Sequence, residues 1–496
     1  MTAQSVAVTG PRAAAAGYPR RWLAAIVMIV GALMDMIDVT IVNVALPTIR
    51  RDLHASATQL EWVVSGYMLA FAAALIIAGN LGDLFGRKRV FLTGVAVFGL
   101  ASLAAGLSQT GAELITARVV QGIAAAAMTP QVLATFRAIF TGAERGKAFG
   151  IYGAMLGFAS AVGLLAGGVL TDANLFGWSW RSVFFVNVPV AVGALIAGVR
   201  FVPETRDPGA RRPDMPGAVL LAGALVAVVY ALLEGRQLGW PVWIWLLLVA
   251  GLGGLVALGL VEARRAGRAG RRSDGRPGGN GAAPLLRAGL FRIPAFAAGL
   301  GVQLVFSAGM QGFFLAFALW LQAGEHFSPL KAGLTAVAFS VGSFIGAPAA
   351  VPLAQRHGRR VLAIGGALMA VGIAGVSLAA SHVGLNGSPW PVIPGLVVCG
   401  AGLALLVIPL VNVVLAAVPV EAAGGASGLF GTAQQLGGAV GVALLGTVFF
   451  GYLNAHTFEA AIVHTAPYAM GAFALCAVLS MLLPRTAVSE EAVTES

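Results

Sequence analysis

Apolar residues in this chain come in long unbroken runs. They follow neither the spacing of an amphipathic surface helix nor the strict alternation of a half-buried strand. Trp22 to Leu46, Val90 to Leu107 and Val361 to Ala380 pass almost without charge, each near the length of about 20 residues that a helix needs to cross a bilayer. Reading such runs against breaks of Gly, Pro and charge gives spans at 22–46, 60–81, 89–108, 112–135, 148–170, 182–202, 216–234 and 241–262, then at 295–321, 330–353, 360–380, 391–418, 426–452 and 467–484. The pattern predicts an all-α membrane protein of about 14 transmembrane helices.

The polar segments organise these spans. After helix 2 comes Leu81-Gly82-Asp83-Leu84-Phe85-Gly86-Arg87-Lys88, and after helix 10 comes Leu353-Ala354-Gln355-Arg356-His357-Gly358-Arg359-Arg360. Leu, Gly and the basic pair fall in register, so helices 2 and 10 are repeats of one another. Two six-helix halves follow, 22–202 and 295–484, with an inserted pair, helices 7 and 8, in 203–262. The expected remainder is an arm at 1–21, an Arg/Gly-rich linker at 263–294 that cannot bury a core, and a tail at 485–496. Two such halves around a central site form a transporter architecture.

Composition agrees: 58% of the 496 residues are hydrophobic and 10% are charged. A net charge of +11 would suit a nucleic-acid partner, but 25 of the 31 Lys and Arg lie in the two ends or in alternate loops, against five in the opposite loops (Arg50, Arg51, Arg181, Arg236 and Lys331). This asymmetry is the positive-inside rule; it places both termini in the cytoplasm and makes the partner a lipid bilayer, not nucleic acid. Arg20 and Arg21 precede a first run too long for a signal-peptide core, so that run is expected to be retained as helix 1. Cys399 and Cys476 sit within apolar runs and read as packing residues.

Charged residues inside spans are costly, and so point to a task. Helix 1 holds Asp35 and Asp38, three apart on one face, and helix 4 holds Arg118, the one basic residue well inside any span. A guanidinium in that setting needs a carboxylate or carbonyl partner. Glu61 and Glu234 lie near span ends and read as solvated, and the six histidines lie in or near loops. There is no phosphate-binding loop, metal cluster or nucleophile triad, so no cofactor is expected and uphill work would draw on an ion gradient.

Five stretches together resemble the fourteen-span drug:proton antiporter branch of the major facilitator superfamily. The segment Gly79 to Arg89 is similar to the superfamily's signature between helices 2 and 3, with Leu84 in place of its usual basic residue; the resemblance makes Gly79, Asp83, Gly86, Arg87 and Lys88 a gating loop. Asp38 to Pro47 resembles the helix 1 motif, and Leu114 to Gly122 the helix 4 motif that places Arg118 in proton coupling. Helix 5 carries Gly153, Gly157, Gly163, Gly167 and Gly168 at spacings that allow close packing; Gly163 to Gly168 resembles the antiporter signature with Leu164 where Pro is usual. Trp180 to Pro189 matches the approach to helix 6, and Ala426 to Gly441 is similar to the branch's helix 13.

The resemblance implies a secondary active transporter, not an enzyme, that exports amphipathic or cationic drugs, antibiotics or secondary metabolites from a bacterial cell across its inner membrane in exchange for protons. Asp38 is expected as the principal coupling carboxylate, with Arg118 and Asp35 beside it, and Asn43, Gln121, Gln434 and Gln435 in the substrate cavity. A monomer is expected. A facilitator or importer of an endogenous metabolite is the alternative within transport, and a membrane-embedded enzyme or sensor the alternative outside it.

Overall fold

The computed structural model describes residues 18–206, 215–235, 237–270, 290, 293–383, 388–418 and 423–484. The expected tail and most of the expected arm and linker lie outside these residues. Fourteen long helices are described: α1 (Arg21–Asp52), α2 (Ala57–Phe85), α3 (Arg87–Leu107), α4 (Gly111–Ile139), α5 (Gly142–Asp172), α6 (Asn187–Phe201), α7 (Met215–Gly235), α8 (Val242–Gly270), α9 (Pro294–Leu319), α10 (Pro329–His357), α11 (Arg359–Leu378), α12 (Ile393–Ala416), α13 (Ala423–Leu453) and α14 (Phe458–Ser480). Twelve, counting the turn before α6 with that helix, are long and apolar enough to cross a membrane. α2 bends by 51° between Leu75 and Ile77 and makes a thirteenth if counted as one span. α5, at 31 residues, has the length to cross.

The helices pack as two copies of one plan. In the first half α1 packs on α5 and α6, α2 on α4, and α3 on α4 and α6; in the second, α9 packs on α13 and α14, α10 on α12, and α11 on α12 and α14. The halves meet along two equivalent seams, α2 with α13 and α5 with α10. The inserted α7 and α8 pack on each other, and α7 also lies along α2 and α13. The repeated segment read in the sequence is a repeated turn: Gly86 (φ +104°) and Gly358 (φ +57°) each join two helices with a left-handed backbone that favours glycine. Ser56 and Ser328 cap the two corresponding helices, accepting from the amides of Gln59 and Lys331.

Several helix ends differ from the sequence reading. α1 continues through Pro47 to Asp52, and α14 starts at Phe458 and runs through Pro467. Prolines are tolerated inside membrane helices because neighbouring groups satisfy the carbonyls they free. Gly79 to Phe85, expected as loop, belongs to α2, and the turn itself is Gly86. The expected linker begins within α8, whose Arg- and Ala-rich end is a good helix former.

Glycine sets the closest crossings. A Cβ on Gly400 of α12 would overlap the carbonyl oxygen of Phe339 on α10, and one on Gly342 of α10 would overlap that of Val397 on α12. Gly400→Ala must push the two helices apart and is expected to cost about 1–3 kcal/mol, seen as a lower melting temperature of the detergent-purified protein. An unchanged melting temperature would show that α10 and α12 are not in backbone contact.

The halves touch at the ends that carry the α1–α2 and α9–α10 connections and part toward the basic α2–α3 and α10–α11 turns. On one seam a Cβ on Gly168 of α5 would meet the Pro329 carbonyl of α10 at 2.8 Å, and Gly333 of α10 lies against the Leu164 carbonyl. On the other, Gly446 lies against Glu61, the Ser65 hydroxyl donates to the Ala439 carbonyl at 3.3 Å, Gly438 lies against Met68, and Gly431 against Leu75. Nearer the basic turns, Gly79 of α2 and Gly428 of α13 face open space.

Candidate functional site: a buried charge cluster in the first half

Asp35 and Asp38 face inward from α1 and are fully buried, at 0% exposure. Spacing of three residues puts both on one helix face. On α4, Arg118, Gln121, Ala125 and Thr129 recur at helical spacing and form the facing stripe. The Arg118 guanidinium forms a salt bridge with Asp38. It also donates from Nε to the Val63 carbonyl of α2 at 3.1 Å and from Nη1 to Gln121 Oε1 at 3.0 Å. Its Cζ lies 4.2 Å from the centroid of the Tyr67 ring.

Asp38 takes two further donors: Asn187 Nδ2 at 2.9 Å and Gln121 Nε2 at 3.3 Å on the same Oδ1. Gln121 Nε2 also donates to Ser102 Oγ of α3 at 2.8 Å. Asn187 reaches the cluster because the turn Ser182–Phe185 ends and α6 restarts at Asn187, with Pro189 in its first turn, where proline is tolerated. Asp35 accepts instead from the Tyr67 hydroxyl and, at 3.3 Å, from the Thr129 hydroxyl. Five helices of the first half, α1, α2, α3, α4 and α6, thus converge on one charged cluster.

The other expected residues lie elsewhere. Asn43 is buried one turn outward on α1, where its amide donates to Val39 O at 3.4 Å. With Val44, Leu164, Phe314, Phe317 and Gln322 it borders a crevice of about 10 Å³ between the halves, the room of about one water. Gln322 closes that end, donating to the Val44 carbonyl at 2.7 Å. Gln121, expected at the cavity, is a member of the charge cluster; Gln435 is buried and Gln434 exposed on α13. Gly163 and Gly167 bring α5 against α1, meeting Thr40 and the Ile41 carbonyl, whereas Gly168 faces α10. Gly157 is in α5 with its surroundings outside the described residues.

At the α2–α3 turn, Asp83 is paired with Arg87 at 2.7 Å, and Arg87 Nη1 also donates to the Ala134 carbonyl at 3.3 Å. Lys88 Nζ donates to the Val199 carbonyl at 2.8 Å. Glu204, after α6, accepts from the Lys88 amide at 3.1 Å and lies against Gly86, so the turn is tied to its own half. Glu61, read from sequence as solvated, is fully buried on the α2–α13 seam because Gly446 opposite leaves room for its carboxyl. Glu234 accepts from the Trp62 indole at 2.9 Å, which pins the inserted α7 to α2.

Among the described residues the second half holds no matching cluster: in α9 to α14 every Asp, Glu, Lys and Arg lies within the first or last turn of its helix. A sequence profile of the Major Facilitator Superfamily matches residues 28–325, 208–442 and 299–496. The chain belongs to the major facilitator superfamily. It is 38% identical over 90% of its length to the probable actinorhodin transporter of Streptomyces coelicolor, covering 76% of that protein. It is 37% identical over 98% of its length to the puromycin resistance protein pur8 of Streptomyces alboniger, covering 95% of it, and 34% identical over 86% to the tetracenomycin C resistance and export protein of Streptomyces glaucescens, covering 76% of it. Among solved structures, an auto-inhibited peptide transporter of the POT family superimposes with a TM-score of 0.67 at 14% identity, over 94% of this chain and 98% of that one. A D-xylose–proton symporter does so with a TM-score of 0.63 at 14% identity, over the same shares, so the superfamily fold is shared well beyond sequence similarity. The protein is therefore a multi-pass superfamily transporter whose relatives are named for antibiotic transport, resistance or export.

Proposed function

We propose that this transporter exports small amphipathic or cationic compounds, antibiotics or secondary metabolites, across the cytoplasmic membrane of a bacterium in exchange for protons. The observation that carries the coupling is the fully buried Asp38–Arg118 pair with a second buried carboxylate, Asp35, one turn away. Such groups are costly in a membrane interior, so their presence points to a task. The export half of the reading rests on relatives named for the export of, or resistance to, actinorhodin, puromycin and tetracenomycin C.

In this reading both termini and the 263–294 segment are cytoplasmic and the described conformation opens inward. Substrate enters between the parted inner ends of α2 and α13, near Gln434 and Gln435. Opening of the outer seams then releases it past Asn43, Phe314 and Phe317. A proton taken from outside reaches the cluster and leaves inward. Exchange requires only that substrate and proton favour different states of the two halves. Asp83, Arg87 and Lys88 hold the α2–α3 turn that gates the inner side.

Expressed in a sensitive host, the protein is expected to lower puromycin accumulation several-fold, and an uncoupler is expected to abolish the difference. Export that survives the uncoupler and stops on ATP depletion would refute proton coupling. Reporter tags at residue 1, within 271–289 and at residue 496 are expected on the cytoplasmic side; an external C-terminal tag would break the assigned topology.

A further inference from the structure

The cluster contains two carboxylates and one guanidinium, and their hydrogen bonds divide them unequally. Asp38 holds the cation together with two amide donors, Asn187 and Gln121. Asp35 receives only hydroxyl donors, Tyr67 and Thr129. The groups that face Asp35 from each packed element are Asp38 on its own helix, Tyr67 on α2, Arg118 and Thr129 on α4, and Tyr152 on α5. With both acids ionised the buried cluster carries one uncompensated negative charge; with one proton it is neutral. An isolated buried charge is expensive, and the acid already paired to a cation is the one that keeps its charge cheaply.

From this arrangement we infer that Asp35 is the seat of the exchangeable proton, that Asp38–Arg118 is a standing ion pair, and that Tyr67 is the positioning residue linking the two. This deepens the proton-coupled reading above and rests on it for its meaning in transport. The link is direct. The Tyr67 hydroxyl holds Asp35, while its ring lies under the Arg118 guanidinium, 4.2 Å from Cζ to the ring centroid, an attraction that desolvation strengthens. Tyr67 also stands one turn from Val63, whose carbonyl holds Arg118, and two residues from Ser65, whose hydroxyl bonds the Ala439 carbonyl of the second half. Within five residues α2 therefore contacts the acid, the cation and the outer seam. Loss of the proton from Asp35 gives Arg118 a second carboxylate to answer, and any resulting shift of Tyr67 moves the helix that forms the seam.

The test needs no drug, so its failure is separable from failure of the export reading. Infrared spectra of the purified full-length protein in nanodiscs are recorded across a pH titration, and each variant is subtracted from the wild type. Buried Glu61 is common to all samples and cancels. A titrating carboxylic-acid carbonyl band is expected in the wild type, lost in Asp35→Asn, moved to lower pH in Asp38→Asn, where Asp35 becomes the one carboxylate facing Arg118, and shifted in frequency in Tyr67→Phe, which keeps the ring and every charge but removes the hydroxyl donor. Should Asp35→Asn fail to fold, the band shift in Tyr67→Phe still reports on the acid that Tyr67 touches. A titrating band kept in Asp35→Asn, an unshifted band in Tyr67→Phe, or no titrating band in the wild type would each overturn the assignment.

Discussion

Arg118→Ala is expected to abolish uphill export and to leave a protein that melts well below the wild type. The guanidinium is the sole cation in the described cluster, and its removal strands Asp38 without a counter-charge among neutral amides. Breaking one side of a buried pair typically costs about 3–5 kcal/mol, more than most single substitutions. Asn187 and Gln121 remain as donors, but neutral hydrogen bonds do not replace the cation. The double variant Arg118→Ala/Asp38→Asn removes both charges and is expected to regain much of the lost stability while remaining inactive. Melting curves in detergent for the two single variants and the double give the coupling between the residues, and puromycin efflux gives the activity. Additive losses in the double variant would show that the pair does not interact in the folded protein.

Gly168→Leu is expected to hold the outer ends of α5 and α10 apart. Here the steric neighbour is backbone of the opposite half: the Pro329 carbonyl at 2.8 Å and Leu330 Cα at 2.9 Å from a Cβ. Backbone cannot turn aside as a flexible side chain can, so the added volume is relieved only by separating the halves. The arrangement in which this seam is closed becomes inaccessible, and turnover is expected to fall by at least tenfold with insertion and yield near normal. Spin labels at Asp172→Cys and Leu334→Cys, with the buried Cys399 and Cys476 left in place, report the seam directly. A longer label separation in Gly168→Leu is expected; an unchanged one would mean that the seam is looser than its glycines imply. Gly471→Ala, where a Cβ meets nothing within 4 Å, is the matched control and is expected to be silent.

The architecture was legible because the bilayer simplifies sequence. A helix that faces lipid must be apolar along its length, so α1 through α14 announce themselves as runs, and the shared Gly86 and Gly358 turns expose the repeat. Helix ends were less legible where proline intervened, as at Pro47 and Pro467, since proline punctuates helices in water more strictly than in a membrane. Within the site, Asp35, Asp38 and Arg118 stood out by charge alone. Tyr67, Ser102, Thr129 and Asn187 did not, because a neutral hydroxyl or amide in an apolar helix leaves no mark until the helices are assembled. Asn187 came nearest to detection, lying in the stretch Trp180 to Pro189 that approaches α6. Glu61 was misjudged for a similar reason: its burial depends on Gly446, almost 400 positions away in the chain.

The two halves share one folding plan but not one chemistry: among the described residues the buried charge cluster is built by α1–α6, and α9–α14 hold no counterpart. In the proposed cycle, energy input is thereby lodged in one half of the molecule. In that reading the second half, with neutral and aromatic groups such as Gln435, Phe314 and Phe317, is free to change its walls without disturbing the charge cluster of the first. A lineage built this way can acquire new cargo by drift in one half alone, and chimaeras that keep residues 22–202 while exchanging the later helices with a relative should retain their motor while trading their repertoire.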